Sequence, residues 1–186
     1  MGFSKSGKAH KIFTIYLLVI FIGEMISKLM VFNKYENISM SHYYFISQFI
    51  LLSLFYLEIL ILPLQKTIIR FLMVLIPIVL TIQYLVYPEL IFKFNLIEVF
   101  LCSFSIVVYA VFHFYNMLNH KRLYYFINSG LLIYLFGSTI IFLSGNVLII
   151  KSKAISCYLG YINVFLYLFY LTMIFIEWKK NYSTIK

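Results

Sequence analysis

The chain has 186 residues, of which 63% are hydrophobic and 11% are charged, with a formal net charge of +9. Its mean hydropathy is +0.97. Soluble domains are about half apolar and about a quarter charged, so this composition excludes a soluble protein and predicts an integral membrane protein. The basic excess lies between apolar runs, where it meets lipid head groups, and we expect no direct nucleic-acid partner.

Six apolar stretches account for almost the whole sequence. Each has about 20 residues or slightly more, the length that a helix rising about 1.5 Å per residue needs to cross about 30 Å of hydrocarbon. The sequence therefore predicts an all-α fold, a single transmembrane domain of six helices over residues 1–186. The predicted spans are 11–32, 43–64, 68–88, 94–118, 124–145 and 155–178.

Lysine and arginine are distributed unevenly between the two ends of these spans. Ten of the 15 lie at the end that carries both termini, and five lie at the other end. Because cytoplasmic loops carry the excess of Lys and Arg, both termini are predicted to be cytoplasmic.

Polar residues recur at helical spacing inside the predicted spans. Successive helix residues turn by about 100°, so a stripe on one face is visible from the numbering. Lipid offers no hydrogen-bond partner, and we expect these stripes to face the bundle interior or to line a cavity. Ordinary interhelical packing, at about 0.6 kcal/mol per polar contact, is the alternative explanation. The fourth-span stripe is Glu98, Cys102, Ser105, Tyr109 and Asn116, and the third-span stripe is Arg70, Pro77, Thr81 and Tyr84.

Glutamate inside a span calls for a partner, because a carboxylate at the centre of the bilayer costs about 2.5 to 3.5 kcal/mol. Glu58 has no charged neighbour at helical spacing before Lys66. Together with His113 and Asn128 it forms a predicted inner layer, which we interpret as a candidate ligand-binding or proton-sensing site. The alternative is a network in which these groups only satisfy one another.

A second, outer polar layer is predicted from Glu24, Gln83, Glu98 and Asn163. Lys28 follows Glu24 by one turn on the same face, which favours a shielded ion pair. Glu98 lies near the outer end of its span. A pair of carboxylates formed by Glu24 and Glu98 is the one enzymatic alternative that the residues offer.

Small residues mark one face of the fifth span. Gly130, Gly137 and Ser144 recur every seven residues. Such spacing predicts a smooth helix-packing seam along which a neighbouring helix can approach closely.

The sequence contains no HExxH, GxSxG, P-loop or dinucleotide-binding motif. His10, His42 and His120 fall in predicted tails or loops, so no pair of histidines has metal-ligand spacing. Cys102 and Cys157 lie in predicted spans without a CxxC motif, and we interpret both as small core residues. We therefore expect a protein that is not an enzyme and that holds neither a cofactor nor a metal.

Three segments carry a resemblance to a known group of proteins: "NKYENISMSHYYFISQFILLSLFYLEIL", "FNLIEVF" and "YYFINSGLLIYLFGSTIIFL". From Glu24 onward the chain resembles small multi-spanning inner-membrane proteins of Bacteroidetes, a family with no assigned chemistry. Its fifth span often reads like "FWINSGLLIYFSG", and Phe126 stands here in place of the Trp. The resemblance implies a bacterial inner-membrane helical bundle of the kind often encoded beside signalling genes. In length and character the chain also resembles, more faintly, membrane accessory proteins of RNA-targeting CRISPR loci.

These observations predict a non-enzymatic membrane signalling or regulatory component. It would couple a membrane event or a small ligand to a cytoplasmic protein partner through a helix rearrangement. Two alternatives stay open: a transporter or oligomeric pore lined by the polar stripes, and an accessory protein of a CRISPR-type defence system. The bilayer is the one partner that composition itself implies.

Overall fold

The computed structural model describes residues 7–120, 122–148 and 153–183, with side chains described over 7–120, 122–144 and 157–180. This part of the chain is almost entirely helical, and six of its helices are long and apolar enough to cross a membrane. The predicted all-α, six-helix fold is thereby confirmed. The helices are α1 Lys8–Phe32, α2 Ile38–Ile59, α3 Pro63–Val86, α4 Leu96–Met117, α5 Tyr125–Leu148 and α6 Lys153–Ser183.

The boundary between α2 and α3 differs from the one that hydropathy predicts. The apolar run continues to Leu64, but α2 already ends at Ile59, and Leu60 and Leu62 have extended backbone. Pro63 then begins α3, because its fixed φ and missing N–H suit the first helical position. At its other end α2 begins at Ile38, five residues before the predicted span. A short 3₁₀ helix, Pro88–Phe92, connects α3 to α4.

The chain divides into two compact units, Met1–Ser105 and Ile106–Lys186. In the first unit α1 packs against α2, where Phe13 and Phe55 bring their ring centroids to 5.2 Å. Tyr16, Phe49 and Tyr56 complete this buried layer. Its core is thus built from large aromatic side chains, which bury much area per residue.

In the second unit α5 packs against α6. The rings of Tyr134 and Tyr170 stack with their centroids 5.5 Å apart and their planes 2° from parallel. Leu131 and Leu135, also on α5, are buried.

The polar stripe predicted for the fourth span is buried along its whole length. Glu98, Cys102, Ser105, Tyr109 and Asn116 are all at most 8% exposed. This confirms the expectation that α4 turns its polar face away from lipid.

For α3 the same expectation is wrong in part, since Tyr84 is half-buried and hydrogen-bonded to Glu98 but two other stripe residues are not buried. Arg70 and Thr81 are exposed, whereas Ile69, Ile76 and Leu80 are buried. Apolar packing therefore determines the rotation of α3 about its axis. The reading of both cysteines as core residues is also wrong in part, since Cys102 is buried but Cys157 is exposed.

Candidate functional site

The start of α4 is shaped by an asparagine cap. The side-chain oxygen Oδ1 of Asn95 accepts hydrogen bonds from the backbone N–H groups of Ile97 at 3.1 Å and Glu98 at 3.3 Å. These are two of the donors that a helix start leaves without an intrahelical partner. Glu98 consequently lies in the first turn of α4, where the helix dipole favours negative charge.

His42 reaches this carboxylate from α2. It was predicted to lie in a loop, and that prediction is wrong: α2 begins at Ile38, so His42 is a helical residue in the second turn. The error has a physical cause. Hydropathy detects the apolar length of a helix, whereas the backbone hydrogen bonding of α2 begins in the polar segment ISMSH.

Three side chains from three helices converge at this point. The Nδ1 atom of His42 lies 2.6 Å from Oε2 of Glu98 and 3.0 Å from the hydroxyl oxygen of Tyr84. The hydroxyl of Tyr84 also donates a hydrogen bond to Oε2 of Glu98. The side chain of Glu98 is 1% exposed and that of His42 is 13% exposed. We call His42, Tyr84 and Glu98 the triad.

The hydrogen-bond geometry of the triad is satisfied when both ring nitrogens of His42 donate. His42 Nε2 lies 3.2 Å from the backbone carbonyl of Ile91, which can only accept, and on that ground we assign a hydrogen to Nε2. Tyr84 supplies one hydrogen, which can occupy one of its two contacts. The 2.6 Å contact between Nδ1 and Oε2 therefore needs a proton of its own, because two lone pairs at that distance would repel each other.

Amide groups extend the triad toward the end of α3. Asn95 and Gln83 exchange side-chain hydrogen bonds, with Asn95 donating at 3.1 Å and Gln83 donating at 3.5 Å. Asn95 also donates to the hydroxyl oxygen of Tyr84 at 3.2 Å. Cys102 lies one turn further along α4 and is buried. The triad is thus held by neutral polar groups on its other sides.

The second carboxylate oxygen of Glu98 takes no part in the contacts of the triad. Oε1 of Glu98 is buried, and it has no hydrogen-bond partner within the part of the chain that the structure describes. Burying a polar atom without a hydrogen-bond partner costs free energy.

The structure brings together two residues of the predicted outer layer, Gln83 and Glu98. They are linked through Asn95 and Tyr84. Glu24 is half-buried on α1, and no hydrogen bond or ion pair between described residues joins it to Lys28 or to Glu98. Asn163 lies on α6 in the second unit, and its buried Oδ1 has no partner among the described residues.

The predicted inner residues are found in different surroundings. Glu58 is exposed in the last turn of α2, in the first unit. In the second unit His113 is buried with Nε2 2.9 Å from the carbonyl oxygen of Leu123, and Asn128 donates to the carbonyl oxygen of Ala110 at 3.1 Å. His113 and Asn128 thus connect α4 to the start of α5. A layer that joins them to Glu58 stays a prediction.

Both glycines of the predicted seam lie against α6. A Cβ atom added at Gly130 would lie 2.9 Å from Cβ of Met173 and 3.1 Å from the ring of Tyr170. One added at Gly137 would lie 2.7 Å from a terminal methyl of Leu166. Ser144, the third seam residue, is half-buried near the end of α5.

A second polar contact closes the start of α5. The buried carboxylate of Glu177, on α6, accepts a hydrogen bond from the backbone N–H of Phe126 at 2.9 Å. Tyr124 precedes α5 with a positive φ of 56°. Burial, and next the negative charge of Glu177, raise the pKa of Tyr124 above its usual range, so its phenol stays neutral at physiological pH.

His42 and Tyr84 are the two residues of the triad that the sequence does not identify as site residues. Glu98 and its cap differ from them in having a local signal, because Asn95 followed three residues later by Glu98 is the pattern of a capping box. Here the glutamate turns to His42 and Tyr84 instead of back to the cap. For His42 no local signal exists, since its partners are on α3 and α4.

In the described ranges no three His, Cys, Asp or Glu side chains are grouped to hold a metal ion. Comparison with known proteins finds no matching family model, no matching curated protein and no matching solved structure. The fold defines the chain as a multi-pass membrane protein.

Proposed function

We propose that the chain is a non-enzymatic signalling or regulatory component of a bacterial inner membrane, whose state is set by a proton on the triad. The observation that carries this proposal is the 2.6 Å contact between His42 Nδ1 and Glu98 Oε2, a distance at which one of the two atoms must donate a hydrogen to the other. Histidine is the side chain that ordinarily changes charge between about pH 5 and 8. The pair is thus suited to respond to physiological changes in pH.

The position of the triad supports a sensing role. His42 lies near the start of α2, Tyr84 near the end of α3 and Glu98 near the start of α4. Consecutive spans place these three ends at the same membrane edge, where protons reach His42 from water. With the cytoplasmic termini that the Lys and Arg bias predicts, this edge faces away from the cytoplasm.

Helix α4 offers a route for the response. It begins at the triad and continues across the boundary between the two units at Ser105 and Ile106. Losing the proton removes the contact that holds α2 to α4, and a shift of α4 would be felt in the second unit, which ends in the predicted cytoplasmic tail. A cytoplasmic protein that binds there is the partner in this proposal.

Trp178 allows a direct test, because it is the one tryptophan of the chain and lies on α6. The protein is reconstituted in lipid nanodiscs, and tryptophan emission is recorded from about pH 5 to 8. We expect a pH-dependent change in the wild type that is absent in His42→Gln and in Glu98→Gln. The matched control is His120→Gln, an exposed histidine that should retain the change. A wild type without a transition, or a transition that survives both triad substitutions, contradicts the proposal.

The predicted inner residues make a separate contribution to this proposal. Exposure of Glu58 at the last turn of α2 puts its carboxyl group at the membrane edge opposite the triad. We propose it as a contact for the cytoplasmic partner or a small ligand. Glu58→Gln should leave insertion and the Trp178 transition intact while changing the partner's output, and unchanged output would exclude this role.

A transporter or pore is the second candidate, and one observation favours it. In the first unit, Oγ of Ser53 and Oε1 of Glu98 are buried polar atoms that have no hydrogen-bond partner in the described part of the chain. A polar solute or water passing through the spans would satisfy such atoms. Proton or ion flux into reconstituted vesicles, lost in Glu98→Gln, would establish transport and displace the sensor proposal.

The identity of the neighbouring gene would discriminate between a signalling role and a defence role. A kinase gene would favour signalling, and a gene for an RNA-targeting CRISPR effector would favour the defence role that the fainter resemblance implies. Either neighbour also names the candidate for the cytoplasmic partner, whose binding can then be measured with the purified protein.

A further inference from the structure

The segment that joins α3 to α4 exposes large apolar side chains. It consists of Tyr87, which follows the last residue of α3, and of the 3₁₀ helix Pro88–Phe92. Phe92 is 73% exposed, and Tyr87 and Ile91 are exposed as well. Contact with water is unfavourable for such side chains, so a group of them on a surface marks a place that another molecule covers. We call residues 87–92 the connector.

A second loop at the same membrane edge has the opposite character. Residues 33–37, with the sequence NKYEN, join α1 to α2, and α2 begins at the edge where α3 ends. Tyr35 is 70% exposed there, between the charged residues Lys34 and Glu36. The connector has the sequence YPELIF and contains one charged residue, Glu89. The two loops therefore suit different surroundings, water for residues 33–37 and an apolar environment for the connector.

The connector is held against α2 and α3. The backbone carbonyl oxygen of Ile91 lies 3.2 Å from Nε2 of His42, on α2. Phe94, two residues after the connector, brings its ring centroid to 6.2 Å from that of the buried Phe45, also on α2. Ile91 and Phe92 are thus presented to the surroundings from an anchored backbone.

The exposed side chains of the connector continue the lipid-facing surface of α3. Leu85 and Val86, the last two residues of this membrane-spanning helix, are exposed and lead directly into Tyr87. A tyrosine ring is favourable where hydrocarbon meets the head groups, because one end of the ring is apolar and the other is polar. The lipid that surrounds α3 is therefore the molecule that can cover the connector as well.

We propose that the connector is a membrane anchor, whose partner is phospholipid at the boundary between acyl chains and head groups. Ile91 and Phe92 lie among the upper parts of the acyl chains, and Glu89 reaches the head groups. His42 contacts the connector through Nε2 and Glu98 through Nδ1, so the anchor also connects the lipid surface to the triad. The lipid contact itself does not depend on the function proposed for the triad.

A tryptophan placed in the connector reports its surroundings. Trp178, the one native tryptophan, is first replaced by Phe, and Phe92→Trp, Tyr87→Trp or Tyr35→Trp is then added, so that each full-length variant has one fluorophore. The variants are reconstituted in phosphatidylcholine nanodiscs and titrated with iodide at one fixed pH. We expect iodide quenching constants about fivefold smaller for both connector variants than for Tyr35→Trp, because lipid shields an interfacial ring from water.

Lipids brominated on their acyl chains then locate the depth of the connector. Bromine near the head group should quench Phe92→Trp more strongly than bromine near the chain end, and Tyr35→Trp should be quenched less by either lipid. Unfolding of each variant in bicelles verifies that it is folded. Iodide quenching of both connector variants equal to that of Tyr35→Trp overturns the proposal, as does stronger quenching by bromine near the chain end.

The connection between the anchor and the triad has its own test. His42→Ala, added to the Phe92→Trp variant, removes the contact with the carbonyl oxygen of Ile91. We expect the iodide quenching constant to rise about twofold, because the connector is released from α2 and opens locally. His120→Ala replaces an exposed histidine of the second unit and should leave the constant unchanged. A constant that His42→Ala does not alter would overturn the connection to the triad.

Discussion

His42 and Glu98 are 56 positions apart in the chain, yet Nδ1 of the first lies 2.6 Å from Oε2 of the second. This contact joins the second turn of α2 to the first turn of α4. The hydroxyl of Tyr84, on α3, donates to the same Oε2 atom. Side chains from α2 and α3 therefore meet at one carboxylate oxygen of α4.

Removing either partner should destabilise the first unit. We expect His42→Ala to lower the free energy of unfolding by about 1.5 to 3 kcal/mol, the value of a hydrogen bond to a charged group. Glu98→Gln should cost a similar amount, and the double variant less than the sum, with a coupling energy of about 0.5 to 3 kcal/mol. Equilibrium unfolding in bicelles measures all three. Additive effects would show that the two side chains do not act as a pair.

Asn95 should contribute in two separable ways. Asn95→Ala removes the cap of α4 and the hydrogen bonds to Gln83 and Tyr84, whereas Asn95→Ser keeps a capping oxygen and loses only the amide contacts. The cap alone is worth about 0.5 to 2 kcal/mol. We expect the unfolding free energy of Asn95→Ser to lie between those of wild type and Asn95→Ala. Equal losses in both variants would mean that capping makes no contribution.

Much of the fold follows from composition and helical spacing, because crossing a membrane demands long apolar helices. The burial of the α4 stripe follows from the same reasoning, since the lipid hydrocarbon offers no hydrogen-bonding group to side chains such as Glu98 and Tyr109. Composition and helical spacing do not predict the residues at which the helices begin and end, or the rotation of each helix about its own axis. Pro63 ends the linker before α3 although the apolar run is continuous, and Ile69 and Leu80 decide which side of α3 is buried.

The triad shows why sites are harder to predict than spans. Glu98 was recognised as a polar outer residue, but its partners were not. The sequence around a carboxylate does not indicate which helix will pack against it. Here the partners, His42 and Tyr84, come from two other helices. Asn95 and Glu98 form the one part of the site with a local pattern, and that pattern predicts only a helix start.

The glycines of α5 offer a graded test of helix packing within the second unit. A Cβ atom at Gly130 would meet Cβ of Met173 at 2.9 Å, and a Cβ atom cannot move without its backbone. A Cβ atom at Gly137 would meet a terminal methyl of Leu166 at 2.7 Å, and that methyl can turn away. At Gly160, on α6, no described atom lies within 4 Å of an added Cβ.

The three alanine variants should therefore differ although the substitution is the same. We expect Gly130→Ala to cost about 1 to 3 kcal/mol of unfolding free energy, as overpacking does, and Gly137→Ala to cost less because Leu166 adapts. Gly160→Ala is the matched control and should be neutral or slightly stabilising, since alanine is the better helix former. Unfolding of each variant in bicelles gives the order. Equal costs at Gly130 and Gly160 would show that α5 and α6 do not approach each other at Gly130 and Met173.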